Sequence, residues 1–224
     1  MCLLRPEYDI FVKEASKYLP DYLFLQTYET DPNFPSITCK LRDSRTTWIE
    51  KCVSHIDMNH GMYLDIFPID GYPITEKAIK KYERRKMHHE RIRAISYNVK
   101  LDPRAIRTNL VVFSNKLFGC FSSSYKNIKE YEVLLRTYLP DDSLVWCNHG
   151  NWQGKLEYAD KTQYGEGTWA IFEGLRVRIP ENFDAYLTQK YGDWRADLPD
   201  DKKHSGHFLL YQDVYKPYTE YMKK

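Results

Sequence analysis

The sequence lacks any apolar run approaching the ~18 residues of a membrane-spanning helix, and its mean hydropathy is −0.64. Its first residues, MCLLRPEYDIF, hold one basic residue and a very short apolar stretch, so they do not read as a secretory signal. Cysteine is sparse. Cys2, Cys39, Cys52, Cys120 and Cys147 are odd in number, widely spaced and free of any C-x-x-C. That argues against a disulfide scaffold or zinc ribbon and for reduced thiols in a cytosol. Neither sign of charge dominates, with 33 Lys+Arg against 31 Asp+Glu, so a nucleic-acid binder is disfavoured. With 10 Gly, 11 Pro and 15% aromatics, collagen, coiled coil and disorder are excluded. Three phosphate or nucleophile signatures are missing too: G-x-x-x-x-G-K-[ST], G-x-G-x-x-G and G-x-S-x-G.

What remains is an ordinary globular composition, 42% apolar over 224 residues. No internal repeat or long linker interrupts it, which predicts one domain over 1–224. Pro6 predicts a helix over 6–19, and a short strand is expected near 22–28. In S-I-T-C-K-L-R, Ile37, Cys39 and Leu41 share one face of a strand, and Lys40 and Arg42 share the other. Cys39 then belongs to the core, not to nucleophilic chemistry. Lys40 and Arg42 read either as a solvated face or as a clamp for phosphate.

The densest segment is H-G-M-Y-L-D-I-F-P-I-D-G-Y-P, 60–73. Met62 to Ile69 reads as a buried strand with Asp65 at its centre. Burying an unpaired carboxylate is expensive, so Asp65 requires an Arg partner, backbone donors or a metal. Asp70-Gly71 reads as a turn. Thr75 is expected to cap a helix reaching about residue 98. Nine Lys/Arg against three Glu over 76–100 make it either a solvated face or a surface for anionic lipid or polyanionic glycan. Asp102-Pro103 opens an amphipathic helix through Leu117, and another helix is expected over 124–138. Residues 141–171 read as loop-rich and aromatic. Leu175, Val177 and Ile179 form a strand after a Glu173-Gly174 turn. Pro180 then opens a helix closed by Gly192. The seven histidines show no convincing ligand spacing for zinc. The many Tyr and Trp are packing residues or line a site for a cationic or sugar-like ligand.

Four ordered blocks, K-L-R-D-S-R-T-T-W-I-E (40–50), G-M-Y-L-D-I-F-P-I-D-G-Y-P (61–73), F-E-G-L-R-V-R-I-P (172–180) and Y-L-T-Q-K-Y-G-D-W-R-A-D-L-P (186–199), resemble the LicD family. R-P-E-Y-D-I-F (5–11) resembles the segment preceding them. The resemblance implies a nucleotidyltransferase-type α/β fold: a mixed sheet with surrounding helices. It implies transfer of phosphocholine, or a similar phospho-alcohol, from CDP-choline or a related CDP-alcohol. The acceptor implied is a cell-surface glycan or lipid-linked oligosaccharide. Mg²⁺ or another divalent cation is the implied cofactor, with Asp65 as catalytic residue and metal ligand. Lys40 and Arg42 become substrate-binding residues. Tyr and Trp of 146–169 are candidates to hold the quaternary ammonium. The expected location is the cytoplasm, with peripheral membrane contact through the basic 77–100 helix. The family's D-D-x-D block has no counterpart in 1–224. The expectation is therefore a fold lacking its N-terminal edge: an inactive fragment, or a non-catalytic glycan- or nucleotide-binding relative, unless that block is supplied.

Overall fold

The computed structural model describes residues 1–95, 124–151, 154–203 and 207–222. Its spine is one long strand, β5 (Met62–Gly71). The first half of β5 pairs antiparallel with β3 (Cys39–Asp43), and β3 pairs with β2 (Leu23–Gln26). The second half pairs parallel with β1 (Cys2–Leu4) and, at its end, antiparallel with β6 (Val145–Cys147). β7 (Tyr158–Asp160) completes the sheet on β6. Two smaller pairs stand apart: β4 (Thr47–Glu50) with β10 (Leu209–Asp213), and the hairpin β8 (Thr168–Phe172) with β9 (Leu175–Ile179).

The helices are α1 (Arg5–Glu14), α2 (Glu76–Ile95), α3 (Ser124–Leu135), α4 (Lys161–Tyr164) and α5 (Phe183–Tyr191). α1 starts one residue before Pro6, stops at Glu14 short of the expected 19, and gives way to a short 3-10 turn over Ala15–Lys17. α2 begins after Thr75, whose hydroxyl accepts from the Ala78 amide at 3.4 Å. α5 ends at Gly192, whose φ of +71° suits glycine alone. Lys100, Cys120, Trp152 and the amphipathic helix expected after Pro103 lie outside the described residues.

The two sides of the sheet follow the strand alternation. Cys39, Leu25 and Ile66 fall on one side and pack with Tyr8 of α1. Ile37, Tyr72 and Cys147 meet α2 and α3 through Tyr82, Ile128, Tyr131, Leu134 and Leu135. Cys39 and Cys147 are buried free thiols, and burial raises the pKa of both.

Three expectations change. Asp70-Gly71 is not a turn; it ends β5. Asp70 is wholly buried, and Gly71 is required because a Cβ there would lie 2.3 Å from Ser143 Oγ and 2.4 Å from Leu139 O. The local Asp-Gly signal loses to long-range pairing. Second, β5 is not buried throughout: Leu64 is 52% exposed and Asp65 half-buried. Third, residues 141–171 are not mainly loop. Short strands β6 and β7 extend the sheet, and β8 begins a hairpin. No helix among the described residues is long and apolar enough to cross a membrane.

Candidate functional site

Register places the expected site residues on one sheet face. Lys40 lies across from Asp65, Arg42 across from Tyr63, and Gln26 across from Lys40. Asp65's carbonyl accepts from the Met1 amino group at 2.8 Å, on the side away from β3. Lys40 and Asp65 are therefore a non-hydrogen-bonded pair, the position where facing side chains come closest. Lys40 Nζ sits 2.9 Å from Asp65 Oδ1 and 3.2 Å from the Tyr63 ring centroid. The sequence requires a partner for Asp65, and the partner is this lysine rather than an arginine.

Burial pushes the Lys40 ammonium down to about 8, with Asp65 acting against that shift and Arg42 adding to it. Arg42 lies deeper, at 2% exposure. Its Nε donates to Gln26 Oε1 and its Nη1 donates to the Gly61 carbonyl, both at 2.6 Å. Its guanidinium stacks 4.6 Å from the same Tyr63 ring. Tyr63 OH donates to Glu50 at 3.4 Å, and Glu50 also pairs with His207. Lys40, Arg42 and Asp65 thus share one face, with Lys40 and Asp65 reaching its surface and Arg42 holding β2, β3 and Gly61 beneath them.

Composition and spacing gave no sign of Gln26 or Glu50. The two-residue period places Tyr63 on Asp65's face, the pairing of β2 with β3 brings in Gln26, and Glu50 comes from the separate β4–β10 pair.

The described aromatic residues of 146–169 do not converge on one cage. Trp146 donates its indole N–H to the Pro140 carbonyl and packs on Tyr164. Tyr158 donates to Glu83, whereas Trp169 stands on the β8–β9 hairpin with Arg176 over its ring. They serve packing and hairpin pairing rather than a single cage.

Nor do the described residues fit a divalent metal. Asp65 is committed to Lys40, and among the described residues no three His, Cys, Asp or Glu side chains group as ligands. A hard cation of the Mg²⁺ type needs several oxygen donors.

The basic helix divides in two. Lys77, Lys80, Lys81, Arg84, Arg85 and Arg91 are exposed, whereas Lys86 and Arg93 are buried and turn toward β6 and β7.

Over 158 residues the chain is 28% identical to the lipopolysaccharide cholinephosphotransferase LicD of Haemophilus influenzae. The match takes in 69% of this chain and 57% of that protein. The chain therefore spans little more than half the length of the curated relative it matches. No family profile matches the sequence. No solved structure matches it.

Proposed function

We propose that the chain is a LicD-like, nucleotidyltransferase-type domain over 1–224 that binds a CDP-activated phospho-alcohol on the Lys40–Asp65 face. In this reading it serves phosphocholine transfer to a lipopolysaccharide-type glycan. The observation that carries the reading is the cross-strand Lys40–Asp65 pair, which sits within the segment resembling the family. The similarity to LicD supports it.

Lys40 supplies a partly desolvated cation to a donor phosphate oxygen, a charge-assisted contact that strengthens as charge develops on the transferred group. Its ammonium exchanges Asp65 for phosphate without crossing the face. Asp65 positions that ammonium in the absence of substrate. Arg42, held by Gln26 and Gly61, fixes β3 and the Tyr63 ring beneath Lys40 and is a positioning residue.

A second reading is favoured by one observation, the commitment of Asp65 to Lys40, while the other carboxylate near Lys40, Glu50, is itself engaged by Tyr63 OH and His207. In that reading the 224-residue chain binds its nucleotide or glycan without turnover. Calorimetry with CDP-choline at pH 7 tests donor binding. Saturable binding competed by CMP is expected, weakened about tenfold in Lys40→Met, in line with the ~1.5–3 kcal/mol of a hydrogen bond to a charged group. Absence of binding, or equal binding by Lys40→Met, overturns the donor role of this face.

A further inference from the structure

A second cationic site lies away from this face. Between α2 and the segment following β6 there is a cavity of about 90 Å³, whose lining includes Lys86, Glu90, Arg93, Asn148 and His149. None of these is Lys40, Arg42 or Asp65. A water needs only ~10–15 Å³ of such volume, so the space admits a tetrahedral oxyanion.

Its lining is rich in donors. Lys86 and Arg93 are both buried cations, and among the described residues lining the cavity Glu90 is the one carboxylate. Glu90 is itself engaged, 3.0 Å from Lys86 Nζ and accepting from Tyr131 OH at 3.0 Å. Asn148 Oδ1 accepts the Gly150 amide at 3.1 Å, and one hydrogen of its NH₂ is directed at Cys2 Sγ at 4.0 Å, which leaves the other to donate. His149 is 2% exposed, and its Nε2 lies 3.0 Å from Tyr82 OH. Its Nδ1 has no hydrogen-bond partner. Burial, with Lys86 and Arg5 nearby, holds the ring well below the usual histidine range, so it is neutral. Nδ1 is thus a buried polar atom lacking a partner; in the tautomer where the Tyr82 hydroxyl donates to Nε2, Nδ1 bears the ring proton and is a donor lacking an acceptor.

We propose that this cavity binds a phosphate-type dianion, with Lys86, Arg93, the Asn148 amide and His149 Nδ1–H as its contacts. Free phosphate and the terminal phosphate of a monoester share this chemistry, and the ligand arms below tell them apart. The proposal stands on these residues and not on the reading of the Lys40–Asp65 face.

The test follows the His149 ring signals by NMR in the full chain at pH 7. Inorganic phosphate, phosphocholine and CMP are added separately, with ionic strength held constant by chloride. Saturable movement of the His149 resonances by phosphate is expected, with none from chloride. Tighter saturation by phosphocholine or CMP assigns the site to a monoester, and tightest saturation by inorganic phosphate assigns it to the free ion. Lys86→Gln should weaken binding at least tenfold, Lys86→Arg should stay within threefold of the parent, and Lys40→Met should leave the titration unchanged. No saturable response to any of the three ligands overturns the proposal, as does equal affinity in a folded Lys86→Gln. The parent titration decides the matter even where Lys86→Gln fails to fold.

Discussion

Arg5 donates to both oxygens of Asp70, at 2.6 and 2.8 Å, and lies 3.4 Å from Glu132. Burial alone would lower the Arg5 pKa, but Asp70, Glu132 and Asp9 more than reverse that, so the guanidinium stays charged. Removing one partner leaves the other charge buried. Arg5→Met and Asp70→Ala should each lose ~3–5 kcal/mol in urea unfolding, and Arg5→Met/Asp70→Leu should lose less than either alone. A double variant as unstable as the sum of the singles would contradict this account. The two partners stand 65 positions apart, which is why the sequence shows Asp70-Gly71 only as a turn signal. Lys40 was legible by contrast, because alternation fixes its face. Its pKa of about 8 lies below the ordinary 10.5, so between those values the unfolded chain binds more protons than the folded one. Stability therefore gains from Lys40 deprotonation as pH rises from about 8 to 10.5. That rise should be smaller in Lys40→Met than in the parent. Over the same range CDP-choline binding should fall as the ammonium is lost. Binding that is flat from pH 7 to 9.5 would remove Lys40 from the donor contact.

Among the elements, β8 lies in a segment that reads as loop, whereas the β9 half of the hairpin was legible. Its alternation and its Glu173-Gly174 turn are local, and both turn residues take positive φ, +48° and +77°, as a two-residue hairpin turn requires. A Cβ on Gly174 would meet nothing within 4 Å, so Gly174→Ala acts through backbone strain alone, about 1–2 kcal/mol. Faster amide exchange over 168–179 is expected in that variant, with exchange in β3 and β5 unchanged. Slowed or unaltered exchange in the hairpin would refute the left-handed turn. α2 was legible as a helix but not in its orientation. Tyr82, Lys86, His89 and Arg93 recur at helical spacing and are all buried, yet three of the four are basic. Counting charge reads that stripe as solvated. Only packing against α3, β6 and β7 reveals that part of it is an interior face.

At the scale of the whole molecule, β5 joins two regions whose chemistry differs. Its Asp70 end is closed by Arg5, and its Asp65 end opens beside Lys40 on a face where a second carboxylate, Glu50, is held by Tyr63 and His207. Phosphoryl transfer develops negative charge on the moving group and on the leaving nucleotide, and one lysine paired with one aspartate offsets little of it. Residues 1–224 on their own are therefore expected to transfer phosphocholine from CDP-choline no faster than a blank. They should bind Mg²⁺ roughly in the millimolar range at best. The parallel register steps Cys2 against Phe67 and Leu3 against Pro68, so a residue joined ahead of Met1 in that register falls across from Asp65. A D-D-x-D segment fused there, with an aspartate adjoining Met1, should place carboxylates beside Asp65 and confer metal-dependent transfer. In that protein Asp65→Asn should lower turnover at least ~100-fold, the scale of losing electrostatic stabilisation of a transition state. Turnover near the parent's in Asp65→Asn would leave Asp65 only its ion pair with Lys40. Metal-dependent transfer by the 224-residue chain unaided would show that carboxylates elsewhere in the sequence complete the site.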